Sequence, residues 1–334
     1  MPTNPMEYLF PGVIAAQAIY AAVKLRVPDA LASGPRTIAE LAAETGAHVR
    51  SLECLMRALC ALAIFEQTPD GRWGNSPLSD VLRQDHPQSQ RAGAMLLTSA
   101  FLWRPLGELA ESVRTGKPAF DRVFGERFFA YLASHRDDAA IFNAAMTEGI
   151  AWTTSALLAA YDFSRFEELI DVGGGEGALL RDLLSATPGL RGVLFDLPEV
   201  VCRAPAILTG VVAARCRIVG GDFFQAVPEG ADAYLLKGVI HDWPDEDAVQ
   251  ILRNVHRAMR PEGTLLLVEG LADSASHAGM SELLMLIVGG RERTEAEFRA
   301  LLSAAGFALK RVVPAGGQAL LECGWTRPGV LERS

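Results

Sequence analysis

Residues 168–177, Glu-Leu-Ile-Asp-Val-Gly-Gly-Gly-Glu-Gly, constrain this chain more than any other stretch. An apolar run ending in closely spaced glycines reads as a β-strand turning sharply into a helix, residues 178–186, whose leucines repeat at helical spacing. Gly173, Gly175 and Gly177 permit a tight turn with positive φ and let the main chain approach a ligand with no Cβ in the way. The first N–H groups of the helix then face that turn and favour a carboxylate or phosphate. A strand, turn and helix of this kind belong to an α/β fold that binds a nucleotide-like ligand at the mouth of a parallel sheet.

The glycine spacing leaves two ligands open. Read as G-x-G-x-G it suits S-adenosylmethionine, while Gly173, Gly175 and Ala178 also satisfy the dinucleotide pattern G-x-G-x-x-A. A second strand, residues 191–196, ends in Asp196, about 20 residues past the glycines, where a carboxylate can accept from ribose hydroxyls of either cofactor. A third, residues 216–224, runs to Asp222 beside Phe223 and Phe224, an acceptor and a ring that suit an adenine edge and face. A fourth, residues 231–237, ends in Lys237. His241-Asp242-Trp243-Pro244 follows at the carboxyl end of that strand, where open α/β sheets place their chemistry.

At this point the chain resembles a known family, the S-adenosylmethionine-dependent O-methyltransferases of small molecules, plant caffeate-type enzymes and bacterial antibiotic-pathway relatives. The resemblance covers nearly the whole chain. It rests on five motifs in order: the glycine loop at 171–177, Phe-Asp-Leu-Pro at 195–198, Gly-Asp-Phe-Phe at 221–224, Leu-Lys through His-Asp-Trp at 236–243, and Gly-Gly-Arg-Glu-Arg-Thr at 289–294. It implies a Rossmann-like class I methyltransferase domain, residues 161–334, behind an N-terminal, mainly helical winged-helix dimerisation domain, residues 1–92. Linking helices over 93–160 form part of the substrate pocket. By this resemblance Gly173, Gly175, Asp196, Leu197, Asp222, Phe223 and Lys237 hold S-adenosylmethionine, released as S-adenosylhomocysteine. His241 matches the catalytic base, Glu269 and Glu292 match its flanking carboxylates, and Asp242 lies towards the substrate. No metal is required.

The residue chemistry agrees. Methyl transfer from a sulfonium is an in-line displacement, so the acceptor oxygen must be held close to the methyl and lose its proton as the bond forms. A phenol titrates near 10 and an ordinary histidine near 6.5, so full proton transfer is uphill by roughly 4 to 5 kcal/mol. Negative charge beside the imidazole raises its basicity and fixes its tautomer. Each residue also has a plainer reading. A lone histidine after a strand is often a cap or a core hydrogen-bonder, and Asp242 could simply sit beside the helix that Pro244 and Asp245 initiate. Trp243 reads as packing, Glu269 as a strand terminus, Glu292 as part of a solvated Arg-Glu-Arg run, and residues 283–287 as core.

In the N-terminal part, residues 13–27 read as a helix rich in Ala, Ile and Val. Thr37 and Glu40 are spaced as a capping box. A helix after Gly46 carries Leu52, Leu55, Met56, Leu59 and Leu62 on one face. Residues 65–74 form a hairpin about Pro69-Asp70-Gly71. This helix-turn-helix with a wing also occurs in DNA-binding regulators, but residues 1–90 hold seven Lys and Arg against nine Asp and Glu, and the chain carries a net charge of −9. A duplex-binding face needs clustered cations, so self-association as a homodimer is expected here and nucleic-acid binding is not. The start lacks a basic segment before its apolar stretch, and no uncharged run reaches the roughly 18 residues that span a bilayer, so a soluble cytoplasmic protein without a membrane partner is expected. Five cysteines without a Cys-x-x-Cys pair read as reduced, mostly buried thiols.

Phe101, Trp103, Phe142, Met146 and Trp152 fall in segments matching the family's substrate-binding helices, and aromatic faces with a pliable thioether suit a flat aromatic substrate. Large apolar residues at helical spacing equally suit core. Some relatives keep the cofactor site but catalyse cyclisation, hydroxylation or decarboxylation; with His241 and both glutamates present, methylation of a phenolic hydroxyl of a specialised metabolite is the reading adopted. One departure stands out: many bacterial members have an Asp where this chain has Ser281, followed by Glu282.

Overall fold

The computed structural model describes residues 4–274 and 278–326. The chain divides into two units, Met1–Arg104 with His135–Gly149, and Pro105–Ser134 with Ile150–Ser334.

The first unit opens with helix Met6–Lys24. This helix ends earlier than the expected residue 27 because Arg26 takes a left-handed conformation (φ 59°) and Pro28 has no N–H with which to continue the ladder. Its N-terminal half leaves Met6, Leu9, Phe10, Val13 and Ile14 more than half exposed. The capping box forms as expected: the Glu40 amide donates to Thr37 Oγ1 at 3.3 Å and the Thr37 amide to Glu40 Oε2 at 2.8 Å. Helices Ile38–Thr45 and Val49–Ala61 are separated by Gly46 in the left-handed region. Strands β1 (Phe65–Gln67) and β2 (Trp73–Asn75) make the wing as an antiparallel pair. Leu41, Leu52, Met56, Leu59, Phe65 and Trp73 are buried together as the unit's core.

The second unit carries a seven-stranded sheet: β3 (Glu168–Val172), β4 (Arg191–Asp196), β5 (Cys216–Gly220), β6 (Ala233–Lys237), β7 (Thr264–Glu269), β8 (Phe307–Ala315) and β9 (Gln318–Trp325). Their order is β5-β4-β3-β6-β7-β9-β8, parallel from β5 to β7, with β9 antiparallel to both β7 and β8. Apolar cores cover both faces. Burial on both faces explains why β3, β4, β6 and β7 read as near-continuous apolar runs. Helix Ala178–Ala186 buries Leu179, Leu180, Leu183 and Leu184 on one side. Gly192 of β4 admits that helix, since a Cβ there would lie 2.8 Å from Leu180.

The carboxyl ends of β3, β4, β6 and β7 bring Val172, Asp196, Lys237 and Glu269 to one edge of the sheet. The strand order reverses between β3 and β6, and such a switch point opens the crevice in which open α/β sheets bind ligands. Two boundaries differ from expectation. β6 begins at Ala233, and β5 stops at Gly220, short of 224, because Asp222 turns the chain: its Oδ1 accepts from the Phe224 amide at 2.8 Å and its carbonyl from Gln225 and Ala226. The cysteine expectation also needs correction. All five are free, but only Cys323 is buried; Cys60 and Cys216 are half-buried, and Cys54 and Cys202 are exposed, because Cys54 lies on the outer side of helix Val49–Ala61 and Cys202 just past the end of helix Pro198–Val201.

Candidate active site

The glycine loop is shaped by the strand beside it. The amides of Gly173 and Gly175 donate to the Phe195 carbonyl and to Asp196 Oδ2, both at 2.8 Å, while Asp196 Oδ1 accepts from Leu197 at 2.7 Å. A carboxylate has about four lone-pair sites, so Asp196 keeps capacity for two hydroxyl donors. A side chain on Gly175 would point into open space, which leaves the loop surface available to a ligand. Gly174 is the residue that the sequence reading passed over. A Cβ there would lie 2.6 Å from both the Asp171 carboxylate and Leu194, so any larger residue would have to displace these two side chains.

Asp171 is buried beneath the loop with Oδ2 lacking a hydrogen-bond partner. Burial, reinforced by the Asp196 charge and opposed by Lys237, pushes its carboxyl up to about 7. Burial likewise raises Asp196, against the Leu197 and Gly175 amides, and lowers Lys237, against the charges of Glu269 and Asp171. Two carboxyl groups directly under and beside the glycines would repel a pyrophosphate and suit a cationic or zwitterionic nucleoside. Phe223 packs against Gly173 and edge-on to Trp243 at 5.9 Å. Leu197 is part-exposed beside Asp196, and Asp222 holds its own turn as described, with Oδ2 accepting from Gln225 at 3.2 Å.

On the other side of Lys237 the chain turns through one 3-10 turn, Ile240–Asp242, which carries His241 with 20% of its side chain exposed. Glu269 at the end of β7 is fully buried. Its Oε1 accepts from the amides of Val239 (3.2 Å) and Ile240 (2.8 Å), which compensates its burial. Its Oε2 lies 2.8 Å from His241 Nδ1, as a close ion pair rather than a straight hydrogen bond. His241 Nε2 is 3.4 Å from Asp242 Oδ1. Burial alone would depress the imidazole, but Glu269, Asp242 and Glu292 together outweigh it and push His241 up to about 10. Burial raises Asp242 to about 7 despite the His241 charge, and raises Glu292 despite His241 and a hydrogen bond from Ser281. Glu292 therefore does not belong to a solvated run: its Oε2 is buried, packed where a Cβ on Gly270 would lie 3.2 Å away. The Ser281 hydroxyl sits on that carboxylate.

A crevice of about 1020 Å³ opens beside this cluster, lined by Phe128, Phe129, Asp242, Trp243, Leu286 and Glu292 among others. Trp243 stacks on Phe129 at 5.2 Å and 22° and meets Phe224 edge-on at 4.7 Å, so it is both packing and wall. Arg127 lies over Trp243 and pairs with Asp247 at 2.6 Å. The run 283–287 is not simply core: Ile287 is fully buried, Leu283 is 38% exposed and Leu286 faces the crevice, because helix Ala278–Val288 borders that opening. Trp103 and Phe142 are half-buried and Met146 exposed on helices of the first unit, while the side chain of Trp152 lies outside the described residues.

Two further residues at this edge escaped the sequence reading. Arg293, inside the same Arg-Glu-Arg run, is 1% exposed. Gly290 leaves no room for a side chain, since a Cβ would lie 2.4 Å from the His241 carbonyl oxygen. Gly290→Ala must displace the turn that carries His241, and a misplacement near 1 Å costs on the order of 10²-fold in rate, so turnover is expected to fall between about 10- and 100-fold. Steady-state kinetics of the purified variant would check this, and turnover within threefold of the parent would contradict it.

Two family models match the sequence. Residues 106–308 match an O-methyltransferase domain and residues 6–85 an O-methyltransferase dimerisation domain. The chain belongs to the O-methyltransferase family. Among curated relatives of this O-methyltransferase, a mitomycin biosynthesis 6-O-methyltransferase of Streptomyces lavendulae is 41% identical over 312 residues, 91% of this chain and 89% of that protein. An 8-amino-8-demethylriboflavin N,N-dimethyltransferase of Streptomyces davaonensis is 38% identical over 92% of this chain and 91% of its own length. Among solved structures, an O-methyltransferase from neocarzinostatin biosynthesis, in complex with S-adenosylmethionine and 2-hydroxy-5-methyl naphthoic acid, superposes with a TM-score of 0.82 at 35% identity, covering 93% of this chain and 96% of that one. Among the described residues no helix is long and apolar enough to cross a membrane.

Proposed function

We propose that this S-adenosylmethionine-dependent O-methyltransferase methylates a phenolic hydroxyl of a small aromatic specialised metabolite, with His241 as general base. The observation that carries the reading is the buried Glu269–His241 pair at the mouth of β6 and β7, beside a glycine loop underlain by carboxyl groups. When bound, S-adenosylmethionine supplies a methyl group on a positively charged sulfur and leaves as S-adenosylhomocysteine.

Gly173, Gly175, Asp196, Leu197, Asp222, Phe223 and Lys237 would hold it. Asp196 would accept from ribose hydroxyls, Phe223 would offer a face to the base, and Asp171 and Asp196 would offset the positive charge. Glu269 holds Nδ1 of His241, so Nε2 points away from it to receive the acceptor's proton, while Glu292 and Asp242 keep the resulting imidazolium favourable. Positive charge brought to the loop lowers the imidazole again and favours the neutral, proton-accepting form. By resemblance Trp103, Phe142, Met146 and Trp152 are assigned to the substrate; within the second unit, Trp243 with Phe129 offers a flat apolar wall. No metal enters this scheme, so a chelator should leave turnover unchanged.

The exposed apolar half of helix Met6–Lys24 within the matched dimerisation domain supports a homodimer. A net charge of −9 speaks against a nucleic-acid partner, and the chain is read as cytoplasmic.

Incubation with a panel of hydroxylated aromatics and an isotopically labelled methyl donor tests the reading. Label appearing as an aromatic O-methyl group is expected; label on nitrogen, or consumption of the acceptor without label, would reject it. Asp196→Ala is expected to weaken S-adenosylhomocysteine binding about 10- to 100-fold, the worth of one hydrogen bond to a charged group. Calorimetry giving unaltered affinity would reject the ribose role.

A further inference from the structure

The guanidinium of Arg293 is buried and has all five N–H groups engaged. Nε and Nη2 donate to Asp245 Oδ1 (2.9 and 2.7 Å), Nη1 donates to the carbonyls of Ile240 (3.0 Å) and Arg291 (3.3 Å), and Nη2 also donates to the Trp243 carbonyl (2.8 Å). Ile240 and Trp243 bracket the His241-Asp242 turn. The main chain of the same segment is tied down as well: the Arg291 amide donates to the His241 carbonyl at 2.6 Å, and Arg293 bridges to Leu271, its carbonyl accepting from Ala272 at 3.0 Å. One residue thus joins the turn after β6 through its side chain and the segment after β7 through its main chain to the 289–294 loop that carries Glu292.

We infer that Arg293 is a positioning residue for methyl transfer, fixing the His241 turn against Glu269 and Glu292 by saturating the carbonyls on either side of it. The inference rests on His241 being the base. Two observations separate it from a merely stabilising role. The largest charges acting on His241 are Glu269 from β7, Asp242 from its own turn and Glu292 from the facing loop, whereas the Arg293 guanidinium is directed at Asp245 and at main-chain carbonyls, so it holds the turn by geometry. Its donors go to the carbonyls immediately before and after His241-Asp242, to Asp245 just beyond that turn and to Arg291 in its own loop, with none reaching remote parts of the core. A lysine in its place keeps the charge but offers three donors in place of a planar fork of five, and cannot hold Asp245 and both bracketing carbonyls together.

The test compares Arg293→Lys, Arg293→Gln and Asp245→Asn in the full-length enzyme, the last chosen because Asp245 is 54% exposed and its loss should not prevent folding. Positioning predicts that kcat falls at least tenfold in both Arg293 variants and several-fold in Asp245→Asn, that S-adenosylhomocysteine affinity stays within about threefold, and that the His241 imidazole, followed by NMR, titrates at lower pH as the Glu269 contact loosens. Lysine should recover part of what glutamine loses. The proposal is overturned if the variants that fold keep kcat within threefold, or if kcat drops only in proportion to the folded fraction with the His241 titration unmoved. Should neither Arg293 variant fold, Asp245→Asn alone decides on the same readings. The NMR titration does not depend on turnover, so an intact titration shift with a fully active His241→Gln enzyme would sink the base assignment and leave the positioning geometry standing.

Discussion

His241→Gln is expected to cut turnover by roughly 10²- to 10⁴-fold, the worth of a positioned general base, while S-adenosylhomocysteine affinity changes by less than about threefold. Glutamine matches much of the imidazole's reach and can still meet Glu269 through its amide, so the turn Ile240–Asp242 keeps its bonds to Glu269 Oε1 and Arg293. What it lacks is an atom that takes up a proton near neutral pH. The groups assigned to the cofactor lie across Lys237 from this turn, and none of the hydrogen bonds that shape the glycine loop passes through His241. Binding and turnover should therefore separate in a single variant. Calorimetry with S-adenosylhomocysteine and a radiolabel transfer assay on the same preparation would show it, and a variant turning over within threefold of the parent would remove His241 from the chemistry.

The same separation marks what the sequence could and could not reveal. Strand ends are local information: apolar runs closed by Asp196, Lys237 and Glu269 announce β4, β6 and β7, and parallel pairing aligns their carboxyl ends at one edge. Capping signals are local too, and Thr37 with Glu40 forms the expected reciprocal pair. The crevice is not local. Its floor needs helix Ala278–Val288 and the 289–294 loop to meet a turn some 50 residues earlier, and nothing in Arg-Glu-Arg announces that one arginine is solvated while the other is buried. Gly174 and Gly290 are similar cases. Neither has the positive φ that motivates a search for glycine, and each is required by an atom contributed from elsewhere, Leu194 in one case and the His241 carbonyl in the other. Asp171 was legible as part of a motif but not as a buried acid without a partner, a property that depends on what packs over it.

Glu269→Gln is expected to be nearly as damaging as loss of the base itself, and its pH dependence identifies why. The oxygen of the substituted amide can still accept from Val239 and Ile240, although a neutral acceptor makes roughly half as strong a bond as a charged one. The amide nitrogen then faces His241 Nδ1, and since it can only donate, Nδ1 must become the acceptor and the imidazole proton moves to Nε2. That is the wrong tautomer, because Nε2 must be free to receive the phenol's proton. Comparable carboxylate-to-amide changes behind a catalytic histidine cost on the order of 10⁴-fold, and between about 10²- and 10⁴-fold is expected here. Removing the largest opposing charge also lets burial pull the imidazole down from about 10. The variant's imidazole is thus neutral over a wider range on the acid side, so the deficit in kcat should be smallest at acid pH and widen as pH rises, where both enzymes are deprotonated and only the tautomer differs. Stability follows the opposite trend. A histidine raised from 6.5 to about 10 contributes stability that is fully present below pH 6.5 and is lost as pH rises through 10, so the difference in Tm between parent and variant should be largest below pH 6.5 and shrink towards pH 10. Melting curves and kcat profiles collected across the same buffers would test both trends, and parallel profiles in the two assays would show that Glu269 does not act through the protonation of His241.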